Sequence, residues 1–181
     1  SEQALFQVSQ KHLKQNFISA SQILADSFDR LDALHKDKKQ LRGVPTGFPA
    51  MDNLLAGLQR SDLIILAARP SVGKTSFALN VAANVAIREG VPVGIFSLEM
   101  SKEQLIDRLL AMESGIDSWK LRTGNLEDKD FEKLNSAMGV LAEAPIYIDD
   151  SALINSLEMR TKARRLQAEH GLGLIVIDYL Q

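Results

Sequence analysis

Cysteine is absent from the 181 residues, so neither a disulfide framework nor a thiolate metal site is available. The three histidines, His12, His35 and His170, stand too far apart to form a local ligand pair, which argues against a structural zinc site. No apolar run approaches the roughly 20 residues of a membrane span, and Ser1-Glu2-Gln3 does not open a signal peptide, so a cytoplasmic protein with no membrane partner is expected. An excess of positive charge is also missing. Lys+Arg 21 against Asp+Glu 23 gives a net charge of -2, so any site for a polyanion has to be local. Aromatics make up 6% of the chain and include a single tryptophan, Trp119. Internal repeats and low-complexity segments are lacking too. The remainder, 45% hydrophobic and 24% charged, is the composition of an ordinary globular domain with an appendage.

The appendage comes first. Within residues 19 to 35, Ile23, Leu24, Phe28, Leu31 and Leu34 recur at helical spacing, with Asp26, Asp29, Arg30 and Asp32 on the other face. The charged run Lys36-Asp37-Lys38-Lys39 and then Gly43, Pro45, Gly47 and Pro49 separate this amphipathic helix from the rest of the chain. The expected division is therefore a linker region, 1–43, and a main domain, 44–181. Both ends have the look of cuts in a longer protein.

Short apolar runs alternate with helical patterns through the main domain. Strands are expected at Leu63–Ala67, at Val93–Phe96, at Ile146–Ile148 and at Leu174–Ile177. Helices are expected from Thr75 to about Glu89, from Lys102, over 127 to 142, and from an Asn155-x-x-Glu158 cap to His170. Such alternation predicts an α/β fold with a mainly parallel sheet flanked by helices, which binds ligands beyond the carboxyl ends of its strands.

One of those ends carries Ala68-Arg69-Pro70-Ser71-Val72-Gly73-Lys74-Thr75, which fits G-x-x-x-x-G-K-[ST] except that Ala68 replaces the first glycine. Backbone N–H groups of such a turn, aimed with a helix N-terminus, cradle triphosphate oxygens. Arg69, Pro70, Ser71, Val72, Gly73, Lys74, Thr75 and Ser76 are accordingly the candidate ATP-binding residues. Lys74 is placed to reach the β- and γ-phosphates, and the Thr75 hydroxyl to hold Mg²⁺. Asp178, after four apolar residues, is the candidate acid for the magnesium shell. Glu99 follows another strand and precedes Ser101-x-x-Gln104, a capping box, which makes it the candidate base for the attacking water. Asp149 and Asp150 are taken as turn residues, and Arg160, Lys162, Arg164 and Arg165 as a solvated charged face.

With that loop, Phe96-Ser97-Leu98-Glu99-Met100, Leu121-Arg122-Thr123-Gly124 and Ile177-Asp178-Tyr179-Leu180-Gln181 in order, the chain resembles bacterial replicative helicases of the DnaB type over nearly its full length. Gly43-Val44-Pro45-Thr46-Gly47-Phe48 and Gln59-Arg60-Ser61-Asp62-Leu63-Ile64 resemble the opening of that family's RecA-like ATPase domain, and the family tolerates alanine at the place of Ala68. The resemblance implies a RecA-like P-loop NTPase fold, with the same roles for Lys74, Thr75, Glu99 and Asp178. It also implies a hexameric ring whose linker helix docks on a neighbouring subunit, translocation on single-stranded DNA, a primase and a helicase loader as partners, and a place at the bacterial nucleoid. The family's arginine finger and DNA-binding loops fall beyond Gln181, so the 181 residues alone are expected to hydrolyse ATP poorly and to separate no strands. The residues by themselves leave two rivals: a P-loop kinase acting on a small molecule, and a non-enzymatic assembly or loader-binding module.

Overall fold

The structure, a computed structural model, describes residues 18–36 and 42–179. Expectations for residues 1–17, for the charged run after Lys36 and for Leu180 and Gln181 lie outside the described residues, as does the side chain of Leu34. The chain divides into two units at residues 40 and 41.

In the first unit the amphipathic periodicity forms helix α1, Ala20–Lys36. Ile23, Leu24, Phe28 and Leu31 on it are exposed. The second unit runs α2 (Pro49–Leu55), α3 (Lys74–Glu89), β1 (Val93–Ser97), α4 (Lys102–Ser114), α5 (Ser118–Thr123), α6 (Asp128–Glu143), β2 (Ile146–Asp149), α7 (Ser156–His170) and β3 (Leu174–Asp178). None of the helices among the described residues is long and apolar enough to cross a membrane.

The three strands form one parallel sheet in the order β2-β1-β3. The central strand β1 is buried along its whole length, which is why Val93–Ser97 is apolar without alternation. On one face Ile146, Ile148, Val93, Ile95, Leu174 and Val176 pack with Leu79, Val81, Ala82, Val85 and Ala86 of α3 and with Leu105 and Leu109 of α4. The alternate residues turn to the opposite face, where Tyr147 stacks on His170 of α7 with ring centroids 4.9 Å apart.

The apolar run Leu63–Ala67 corrects the sequence-based expectation, because no residue of it lies in a strand. Leu63 and Ile65 are 85% and 76% exposed. A strand exists only as a pairing; β1 has both of its edges filled by β2 and β3, and the run takes up neither outer edge of the sheet. It therefore reaches the phosphate loop as unpaired chain, and the sheet has three strands among the described residues where four were expected.

Polar contacts seat α3 from the front. Asp52 accepts both the backbone N–H (2.8 Å) and the hydroxyl (2.7 Å) of Thr46, itself fully buried. Asn84 of α3 donates to the Thr46 carbonyl at 3.0 Å, and Phe48 stacks on Phe77 at 4.9 Å. The segment 43–58 is thus clamped along the helix that begins with Lys74. Both helix starts read from the sequence carry their capping boxes, Ser101 with Gln104 and Asn155 with Glu158. Two short helices, α2 and α5, have no counterpart among the expected elements.

Candidate functional site

The phosphate-type loop reverses direction through two left-handed residues, Ser71 at φ 65° and Gly73 at φ 103°. Glycine adopts that region freely, whereas serine is strained there. A Cβ placed on Gly73 would meet nothing within 4 Å, so the space above the loop is open. Arg69, Pro70, Ser71, Val72 and Ser76 are all exposed around it. The Gly73 carbonyl accepts from Phe77 N–H at 2.9 Å, which starts α3, and the preceding N–H groups at the helix N-terminus have no intrahelical partner.

Opposite the loop, the last residue of β3 turns its carboxylate inward. Asp178 is 7% exposed. One oxygen accepts the Thr75 hydroxyl at 2.6 Å across 103 residues of sequence, and the other pairs with the Lys74 ammonium at 2.7 Å. Lys74 Nζ also lies over the Tyr179 ring, 4.2 Å from its centroid. The structure thus brings together Lys74, Thr75 and Asp178, three residues singled out from the sequence. A hydroxyl and a carboxylate are the hard oxygen donors that suit magnesium, and an ammonium beside an open Gly-rich turn suits phosphate, so these residues fit both groups.

Glu99 sits on the turn after β1, at the same end of the sheet. Ser97, two residues before it, is in register with Asp178, and Leu98 N–H donates to the Asp178 carbonyl at 2.8 Å. Ser97 Oγ holds the turn closed, donating to the Met100 carbonyl at 2.6 Å and accepting from Met100 N–H at 3.1 Å. Glu99 itself is exposed and makes no hydrogen bond or ion pair among the described residues. Its carboxylate is therefore available to water, and its backbone is fixed relative to Asp178. Just beyond it, a hydrogen bond to its own backbone, with help from the Ser101 hydroxyl, holds the Glu103 carboxyl below the usual range. A hollow of about 500 Å³ opens beside Ser76, lined by Met100, Gln104, Arg108, Trp119 and Arg122 among others.

The two turn acids do more than turn. Asp150 accepts the N–H of Lys102 at 3.1 Å, at the start of α4, and Asp149 pairs with Lys162 of α7. Burial opposes ionisation of Asp149, but the hydrogen bonds from Lys162 and Ser151 outweigh it and hold the carboxyl below its ordinary range. On the expected solvated face of α7, Lys162 and Arg165 are thus ion-paired, Arg165 with Glu169. Ser97 and Tyr179 had no role in the sequence reading. The only signal for either was its place beside an acid at a strand end.

A family model described as the DnaB-like helicase C terminal domain matches residues 43–181. The replicative DNA helicase DnaC of Bacillus subtilis (strain 168) is 49% identical over 180 residues, which is 99% of this chain and 40% of that protein. The replicative DNA helicase DnaB of Geobacillus stearothermophilus is 50% identical over 177 residues, 98% of this chain and 39% of that protein. Among solved structures, a helicase-like ATPase domain superposes with a TM-score of 0.84 at 30% identity, covering 91% of this chain and 58% of that one. A DnaB-like replicative helicase, solved in a study of its interactions with primase, gives 0.78 at 28% identity, over 97% and 42%. The chain spans about two fifths of the length of the two curated relatives. With the loop, the strand-end aspartate and these matches together, the chain belongs to the DnaB-like helicase C-terminal domain family and has its RecA-type ATPase fold.

Proposed function

We propose that this chain is the ATP-binding and ATP-hydrolysing part of a replicative DNA helicase, one that moves along single-stranded DNA as a ring of copies. The observation that carries the reading is the meeting of Lys74 and Thr75 with Asp178. In the roles proposed, the loop 69–73 and Ser76 lie against the phosphates through backbone N–H groups, and Lys74 reaches the β- and γ-phosphates. Thr75 and Asp178 hold the cation, and Glu99 takes a proton from the attacking water. Magnesium bound there supplies charge neutralisation for phosphoryl transfer. The relatives are named helicases, which favours a motor over a kinase for a small acceptor. DNA as track, a loader as partner and work at the bacterial nucleoid belong to the same proposal, as does primase, with which one solved relative interacts.

The exposed residues Ile23, Leu24, Phe28 and Leu31 of α1 supply the assembly part. Four large apolar side chains on one helix form a patch that water disfavours, and burial against a neighbouring copy removes it. Replacing Phe28 and Leu31 by serine should dissociate the ring, read by light scattering. An intact ring would make α1 an internal packing element.

Glu99→Gln tests the chemistry. The amide keeps the shape but cannot accept a proton, so turnover should fall by about 10² to 10⁴ with ATP binding retained. Turnover near that of the unaltered protein would move the base elsewhere.

A further inference from the structure

Lys74 has two neighbours, and its proposed role on phosphate accounts for only one of them. The ion pair with Asp178 measures 2.7 Å, and the Tyr179 ring lies 4.2 Å below the same ammonium. The carboxylate is a competitor. It is already bonded to Thr75, and while it holds Lys74 the ammonium is spent on an internal anion. A lysine on a flexible four-carbon stem, released from that carboxylate, has many rotamers to choose from, most of which point away from the loop. An aromatic face solves this differently, because it attracts a cation through its quadrupole yet carries no charge that a phosphate must displace.

We propose that Tyr179 is a positioning residue for Lys74: its ring keeps the ammonium at the mouth of the phosphate loop while Asp178 gives it up. This rests on the nucleotide-site reading above. Sequence order makes the coupling direct, since Tyr179 adjoins Asp178 and both groups that hold Lys74 move as one backbone unit. The attraction comes from the ring rather than the hydroxyl, so phenylalanine should serve as well as tyrosine.

The test is ATP affinity by titration calorimetry on the intact protein, with Lys74→Ala beside a series at position 179. Lys74→Ala should weaken ATP strongly. Tyr179→Phe should change affinity by less than about twofold, and Tyr179→Leu should weaken it by about 3-fold to 30-fold. Phenylalanines bearing one, two and three fluorines keep the ring's shape while draining its face of electron density. ATP affinity should fall in step along that series, and the KM for ATP should rise with little change in kcat. A purely structural tyrosine would give a flat fluorine series, which overturns the proposal even if Tyr179→Leu unfolds the domain. If Lys74→Ala left ATP affinity unchanged, the phosphate-loop reading itself would fall. A weakened Lys74→Ala beside a flat series would remove the ring's role alone.

Discussion

The two faces of the sheet are held in different ways. On the α3 face six residues of the helix are buried, and three of them are alanines whose small side chains let helix and strands approach closely. On the α7 face no residue of the helix is buried. A hollow of about 360 Å³ separates it in part from Gly94, Phe96, Tyr147 and Ile175, and Ile175 and Ile177 of β3 stay 42% and 39% exposed. The ties that hold α7 down are polar or aromatic: the Lys162–Asp149 pair, the Tyr147–His170 stack and the cap at Asn155. The face bearing Lys74, Thr75 and Asp178 is thus the rigid one. Phosphoryl transfer depends on positioning, and a loop anchored on a close-packed helix supplies it.

The largest effect that could break this contrast is a cavity. Leu79, 2% exposed in the α3 core, should cost about 2 to 5 kcal/mol when replaced by alanine. Leu166, half-buried over Gly94 on the other face, should cost about 1 kcal/mol by the same change. Urea unfolding of both variants measures the difference, and equal losses would mean that the α7 face is as well packed as the α3 face.

The contrast also explains which parts of the molecule the sequence made legible. Leu174–Ile177 and Leu63–Ala67 look alike as apolar runs, yet only the first is a strand. Pairing is decided by which sheet edges are taken up in the folded chain, and no local pattern encodes that. The helices with capping boxes, α4 and α7, were legible at their first residues because the cap is a local hydrogen-bond exchange. The seven-residue α2 and six-residue α5 are too short to show a periodicity. In the site, Lys74 and Thr75 were legible from loop chemistry and Asp178 from its strand end. Ser97 sits in an apolar run, and Tyr179 acts through a ring face; their partners are set by tertiary approach, so neither could be read beforehand.

A smaller effect sharpens the comparison. The Asn155 side chain accepts from Glu158 N–H at 2.9 Å, and Glu158 returns the bond at 3.4 Å. Asn155→Ala removes that exchange and should cost about 1 kcal/mol. Because α7 has no buried residue to hold it, the loss should appear as faster hydrogen exchange along α7, with the amides of α3 unchanged. Equal acceleration in both helices would show that the two faces open together.

The smallest effect is set by acid. Burial pushes the Asp149 carboxyl up, and the hydrogen bonds from Lys162 and Ser151 more than offset it, so the group stays below its ordinary range. A carboxylate whose value is lowered by folding stabilises the fold fully above its unfolded value, about 3.9, and loses that contribution as the pH falls through the lowered one. The tie between α7 and β2 should therefore weaken only below about pH 4. Lys162 is half-exposed, so water already screens the pair and the change should be slight. The core residues Leu79, Val81, Ala82, Val85 and Ala86 carry no titrating group, and their packing should not respond to this step. Methyl resonances report both faces at once: those of Leu166 should shift with a midpoint below about pH 4 while those of Ala82 stay fixed. Asp149→Asn should abolish the Leu166 shift. If the shift persisted in that variant, or if the Ala82 signal moved with it, the acid response would belong to the whole domain and the pair would have no separate hold on α7.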